Sequence, residues 1–403
     1  MPKIELYDHD LDFRDKDRNS KLIVLNPDEE RALQELYETN YIPEKWFFLG
    51  RGVVFCQGLE AQDGRLTEMA YVIFAKSSAI RLQSLPAFTG LQRLGFLGSY
   101  LHDLAPLAFL TELTDLALWS SNLPDLSPLA NLRQLKRLIL GIRGSSFTDD
   151  LRHLSNLGSL QYFSLRGGQI SDLTPLAGLT ALTKLSLEFE LGGDWEALAG
   201  LNSLQTLHLN NSQIRETTFL AGLTGLLSLS LDHNPGLDPA PLSQMSSLKE
   251  LSLANCGLSD LAPLAGLQKL EKLILADNLI DDLAPLSHMT ALKELDLGSN
   301  KIKSLAPLAN LTALTSLNLA ENEISDLHPL ARLTNLAQLG LSRNDISDLR
   351  PLAGLTALSE LDLHHNLVND LTPLSRLTSL SSLKLRHNRL RRVRDHKLVR
   401  RGE

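Results

Sequence analysis

Residues 292–313 read L-K-E-L-D-L-G-S-N-K-I-K-S-L-A-P-L-A-N-L-T-A, and residues 314–335 read L-T-S-L-N-L-A-E-N-E-I-S-D-L-H-P-L-A-R-L-T-N. The step of 22 residues continues to Leu336, Leu358 and Leu380, and runs back through Leu270, Leu248, Leu226, Leu204, Leu182 and Leu160. One unit of 25, from Leu135 to Leu160, precedes this run, and regular units begin at Leu113 and Leu91. A degenerate unit fits from Met69 and a truncated one begins at Leu380, so thirteen clear units stand between two imperfect ones. A period of this size marks one supersecondary unit stacked many times, and the fold follows from the spelling of a single coil.

In L-x-x-L-x-L the fourth and sixth residues alternate with polar ones. This predicts a short strand with Leu295 and Leu297 turned inward and Asp296 outward. At the ninth position Asn234, Asn278, Asn300, Asn322, Asn344, Asn366 and Asn388 can place a carboxamide inside the bend, where it satisfies backbone groups that water does not reach. Proline recurs at the sixteenth position, as in Pro263, Pro285, Pro307, Pro329, Pro351 and Pro373, and is expected at the first residue of a short helical turn. A coil alone cannot bury its leucines, so neighbours must cover them and the ends need caps. With strands about 4.8 Å apart, some fifteen coils would give a concave arc of about 65–70 Å, a surface scaled to a macromolecule.

This D-L-x-P-L-A-x-L-T spelling resembles the 22-residue leucine-rich repeat class found in bacterial internalins and in the leucine-rich regulatory subunit of type-1 protein phosphatase; the likeness covers residues 91–390. It implies an α/β leucine-rich repeat solenoid, a right-handed superhelix with parallel strands on the concave face, short helical or 3-10 turns on the convex face, and an N-terminal cap. The expected organisation is a cap or small α/β domain over 1–68, the solenoid over 69–390 and a basic tail over 391–403. Within the first segment Asn26 and Pro27 precede Asp28, Glu29 and Glu30, a helix start with acidic residues at the positive end of its dipole.

A chain that is 43% hydrophobic but only 5% aromatic must build its core from aliphatic side chains, and it is too apolar to be disordered as a whole. The net charge of −8, from 39 basic and 47 acidic residues, argues against wholesale binding of a nucleic-acid backbone. From Arg386 onward, however, eight basic residues face only Asp395 and Glu403, and this tail is either a solvated cap or a docking element. Cys56 and Cys256 cannot make a disulfide framework. No basic, apolar leader and no membrane-spanning apolar run is read, so the expected location is cytoplasmic, with no membrane association.

Catalytic motifs are wanting. Arg143-Gly144-Ser145-Ser146 and Arg166-Gly167-Gly168 lack the lysine-serine pair and the glycine spacing of phosphate loops. Asp362, His364, His365 and His387 fall on or beside neighbouring strands, close enough in principle to share a metal, but side chains at positions seven and eight are ordinarily solvated and no fourth ligand is forced, so no metal or cofactor is expected. His208, Asp232 and His233 form a similar set without a nucleophile or an oxyanion site. Both cysteines read as buried thiols.

Since the inward leucines belong to the fold, ligand choice resides in the variable positions of each coil. In the C-terminal coils these are small or charged. In the earlier coils they are larger: Trp119 at position seven, Ile139 and Ile142 at five and eight, Tyr162 at three, Phe189 at eight and His208 at five, with Arg166, Glu188, Asn210 and Asn211 between them. Outward aromatics beside arginine are the usual material of binding hot spots. The competing reading folds these rings onto one another or under the insertion that carries Phe147. The expected partner-binding set is Trp119, Ile142, Tyr162, Arg166, Glu188, Phe189, His208, Asn211 and His233. The chain is expected to be a monomeric, non-enzymatic scaffold that binds a protein partner, and not nucleic acid, on its concave face. The alternatives are a regulatory subunit or inhibitor of an enzyme, as the phosphatase likeness suggests, and a bacterial effector or toxin-neutralising protein. A surface adhesin, after the internalins, is a weaker alternative because no sorting motif or immunoglobulin-like segment follows the last repeat.

Overall fold

A computed structural model of the chain describes residues 57–62, 65–73, 79–80, 82–101, 103–123, 125–142, 151–188 and 193–390. The chain divides into two compact units, residues 1–204 and 205–403. The helix expected after Pro27, the strands expected around Trp46 and Val53, Cys56, the insertion with Phe147, and the basic tail beyond Leu390 lie outside the described residues.

In the first unit β1 (Gln57–Gln62) and β2 (Arg65–Ile73) form an antiparallel pair. β2 runs across residue 68 and aligns in parallel with β4 (Arg93–Leu101), as does the short β3 (Ala79–Ile80). From there the sheet is wholly parallel through β5 (Asp115–Asn122), β6 (Arg137–Ile142), β7 (Tyr162–Arg166) and β8 (Lys184–Glu188). The register places Leu94, Leu116, Leu138, Phe163 and Leu185 in one buried row. The insertion before Leu160 leaves this row intact, because Leu138 still faces Phe163.

The second unit repeats the scheme with three-residue strands: β9 (Thr206–His208), β10 (Ser228–Ser230), β11 (Glu250–Ser252), β12 (Lys272–Ile274), β13 (Glu294–Asp296), β14 (Ser316–Asn318), β15 (Gln338–Gly340), β16 (Glu360–Asp362) and β17 (Ser382–Lys384). They are parallel and in register, each leucine beside the next. Within the coil from Leu292, Leu295 and Leu297 are buried while Asp296 is half-exposed. Ile302, Leu305, Leu308 and Leu311 complete the interior.

The difference in strand length has a local cause. In the second unit the residue at position eight adopts left-handed backbone, with φ from 52° at Asn255 and Ser299 to 58° at His233, which ends the strand. Except after Asn211 and Asn255, where Ser212 and Cys256 stand instead, an asparagine follows and ties the bend together. Asn234 Nδ2 donates to the carbonyls of Leu209 and Leu231, and its Oδ1 accepts from the backbone N–H of Ser212 and Ile214. The same pattern recurs at Asn278 and, with one N–H accepted, at Asn300, Asn322, Asn344 and Asn366. The ninth-position asparagines are thus structural. Coils that lack them in the first unit carry longer strands, nine residues in β4 and eight in β5.

Opposite the sheet each coil closes with a short 3-10 turn, and no α-helix occurs among the described residues. The turn corrects the expectation for proline, which is its second residue. In Ala262–Leu264, Ala262 comes first and Pro263 second. The reason lies one step upstream, since Asp260 Oδ1 accepts the Ala262 N–H at 2.8 Å and the next residue needs no donor. The same bond starts the turns at Ala105, Thr174, Ala240, Ala284, His328, Arg350 and Thr372, so D-L-x-P is a turn-initiating device.

Candidate functional site

Positions three, five and seven of each coil project from the strand face. In the first unit position three carries Arg93, Asp115, Arg137, Tyr162 and Lys184 in register. Position seven aligns Trp119, Gly141, Arg166 and Glu188. Trp119 is half-buried, and its ring lies across Gly141 on the next strand: a β-carbon at 141 would penetrate the indole. Local packing therefore holds one side of this aromatic in place.

Tyr162, also half-buried, sits between two cations. The Arg137 guanidinium carbon is 5.0 Å from the ring centroid and the Lys184 ammonium 5.3 Å. On the position-seven column Arg166 Nε donates to Glu188 Oε2 at 2.7 Å, an exposed pair of small energetic weight that occupies the arginine. Ile142 corrects the expected contact set. It is only 6% exposed, because β6 continues through position eight and the alternation of the strand turns it to the same side as Leu138 and Leu140; Ile139, at position five, is 4% exposed as well. Phe189 lies outside the described residues.

His208, Asn211 and His233 belong to the second unit. His208 is half-buried at position five of β9, whereas Asn211 and His233 occupy left-handed corners at position eight and are exposed. His233 Nδ1 lies 2.9 Å from Asn255 Nδ2. Asp232 accepts from Ser252 Oγ at 2.6 Å and from the Ala254 N–H at 2.8 Å. Its carboxylate serves the strand face as a polar crosslink between coils.

Farther along, His364 Nδ1 is 2.8 Å from Asp362 Oδ1, and Lys384 Nζ is 3.3 Å from the other carboxylate oxygen. Burial opposes ionisation of Asp362, yet the bonds from His364 and Lys384 hold its carboxyl below the ordinary range. His365 points elsewhere, stacking on His387 with centroids 4.1 Å apart. Among the described residues no group of three or more His, Cys, Asp or Glu side chains gathers where a metal could sit. Cys256 replaces the ninth-position asparagine and is buried; its Sγ lies 3.2 Å from the Leu231 carbonyl. Burial pushes its thiol up to about 11, which removes it as a nucleophile.

The family model for leucine-rich repeats in two copies matches residues 246–288, 290–332 and 334–376. An internalin, InlF of Listeria monocytogenes, superposes with a TM-score of 0.66 at 31% identity, covering 75% of this chain and 88% of its own. The chain belongs to the leucine-rich repeat family. Its repeats are similar to those of the internalins. A leucine-rich repeat protein of Leptospira interrogans, 23% identical over 76% of this chain and 81% of its own, shares the fold with a TM-score of 0.68. So does the functional domain of InlJ from Listeria monocytogenes, 20% identical over 76% and 66%, with a TM-score of 0.61. No curated protein sequence matches the chain. Leucine-rich repeat arrays are interaction scaffolds that use extended strand faces for binding.

Sequence reasoning passed over Gly141, Arg137 and Lys184. The last two stand at position three like Tyr162, and reading that column alone would have brought them together; the 25-residue unit hides the alignment.

Proposed function

We propose that this leucine-rich repeat chain is a non-enzymatic interaction protein that holds a protein partner on the strand face of its first unit, around Trp119, Tyr162, Arg166 and Glu188. The observation that supports the reading is the pair of outward, half-buried rings in a chain with few aromatics. Each is held from below or beside by its neighbours, Trp119 on Gly141 and Tyr162 between Arg137 and Lys184. A rigid aromatic loses little conformational freedom when a partner covers it, which is the property of a hot spot. Phe189 belongs to the same proposal by its place in the sequence. His208, Asn211 and His233 form a separate candidate patch on the second unit.

The test is affinity capture from the cell of origin with the full chain and with a Trp119→Ala/Tyr162→Ala variant. A partner retained by the parent and lost by the folded variant supports the reading. Equal capture by both, with unchanged circular dichroism, would remove it.

A further inference from the structure

The position-three row of the first unit differs from the charged rows of the second in one respect. In the second unit Lys272, at position three, pairs with Glu294 at 2.8 Å, and in the position-two row Lys293 and Lys249 pair with Glu271 at 2.5 and 3.8 Å. In the first unit neither Arg137 nor Lys184 has a carboxylate within ion-pair distance among the described residues, although Asp115 is the strand neighbour of Arg137. Both approach the Tyr162 ring instead, from the strands on either side. Lys136, one residue before Arg137, is exposed.

This arrangement has a physical consequence for whatever lies on the face. Exposed cation–π contacts stabilise by only about 0.5–1 kcal/mol, so water supplies most of the solvation of both charges while the face is bare. A partner that covers Tyr162 strips that water away, and a buried cation without a counter-charge is costly. A partner carrying a carboxylate over the ring meets a guanidinium and an ammonium already held in place, and the phenol O–H can donate to it. We propose that the Arg137–Tyr162–Lys184 row is the subsite for an acidic side chain of a protein partner. The inference rests on the reading of the strand face given above and names the chemistry of its ligand.

Phosphate in a nucleic-acid backbone would also be attracted by the two cations at Tyr162. The surroundings disfavour it. Asp115 lies beside Arg137 in the same row, and farther along the strands, on the position-seven column, Glu188 takes up Arg166. A polyanion with a charge at every nucleotide needs a continuous basic track, whereas a single carboxylate needs only this local one.

The experiment measures fluorescence anisotropy of labelled oligoglutamate, oligolysine and oligothymidylate with the full chain at low salt. Three variants accompany the parent: Arg137→Gln/Lys184→Gln, Tyr162→Leu, and Lys249→Gln as a control on the second unit. All four positions face outward, and thermal melting verifies that each variant is folded. The expected result is retention of oligoglutamate over oligolysine, roughly tenfold weaker binding in the double variant, a smaller loss in Tyr162→Leu, and no change in Lys249→Gln. Absence of oligoglutamate binding, or binding untouched by the double variant, overturns the inference. So does tighter, Arg137- and Lys184-dependent binding of oligothymidylate, which would mark a nucleic-acid site. If oligoglutamate fails while capture of the cellular partner still depends on Trp119 and Tyr162, only the ligand chemistry is wrong. If capture is independent of those rings, the reading of the face is wrong as well.

Discussion

The Trp119 indole occupies the space that a side chain at Gly141 would fill, one strand away at the same level of the coil. The pair shows how an outward aromatic is placed in this fold. A residue one repeat later leaves room for it, and the ring becomes a fixed part of the surface.

Substituting Gly141→Ala should therefore lift the indole from the sheet. We expect a change in near-ultraviolet circular dichroism and a loss of about 1–3 kcal/mol in stability, as for other overpacked sites. Trp119→Ala should restore most of that loss in the double variant, a coupling of about 0.5–3 kcal/mol for residues in contact. Strict additivity of the two substitutions would show that the ring does not rest on Gly141.

The asparagine ladder makes a second prediction. Asn344 Oδ1 accepts the Ile324 N–H at 2.9 Å, and Nδ2 donates to the carbonyl of Leu319 at 2.8 Å and to those of Leu341 and Ser342 at 3.2 Å. Asn344→Ala leaves these buried groups without a partner, and chemical denaturation should report a loss of about 1–3 kcal/mol or more. Asn335, whose amide donates to the Thr312 carbonyl at the surface, supplies the comparison. Equal, small losses from Asn344→Ala and Asn335→Ala would deny the ladder its structural weight.

A third concerns acid. Partial desolvation, then the charges of His387, Arg343 and His364, hold the His365 imidazole below its ordinary value of 6.5. The native state thus binds fewer protons than the unfolded chain, and stability from this site rises as pH rises through the interval below that value. On acidification from about pH 7.5 to about 5.5 the last coils should loosen, and amide exchange corrected for its intrinsic pH dependence should accelerate at His365, whose N–H donates to the Arg386 carbonyl at 2.9 Å. His387→Gln should flatten the dependence. An acid response of the same size in that variant would assign it to other groups.

The interior of this protein was legible in one dimension because its determinants are local and periodic. Leucines at positions four and six can only turn inward, the asparagine at nine meets the carbonyl three residues before it within its own bend, and Asp260 reaches the N–H of Ala262 two residues on. Even there the local reading placed proline one residue early, since the role of the aspartate was not part of it.

What an outward residue is free to do was decided in three dimensions, because it depends on side chains about 22 positions away in both directions. Lys272 and Lys184 are equivalent in the repeat, yet Glu294 lies against one and Tyr162 beside the other. Ile142 reads as a surface residue by its position number and is buried because β6 does not end before it. The spelling of one coil determined the stack, by the burial of its leucines and the satisfaction of its backbone. The stack then determined which charges and rings were left for a partner, because only adjacency between coils sets the distance from each cation to its nearest carboxylate or ring.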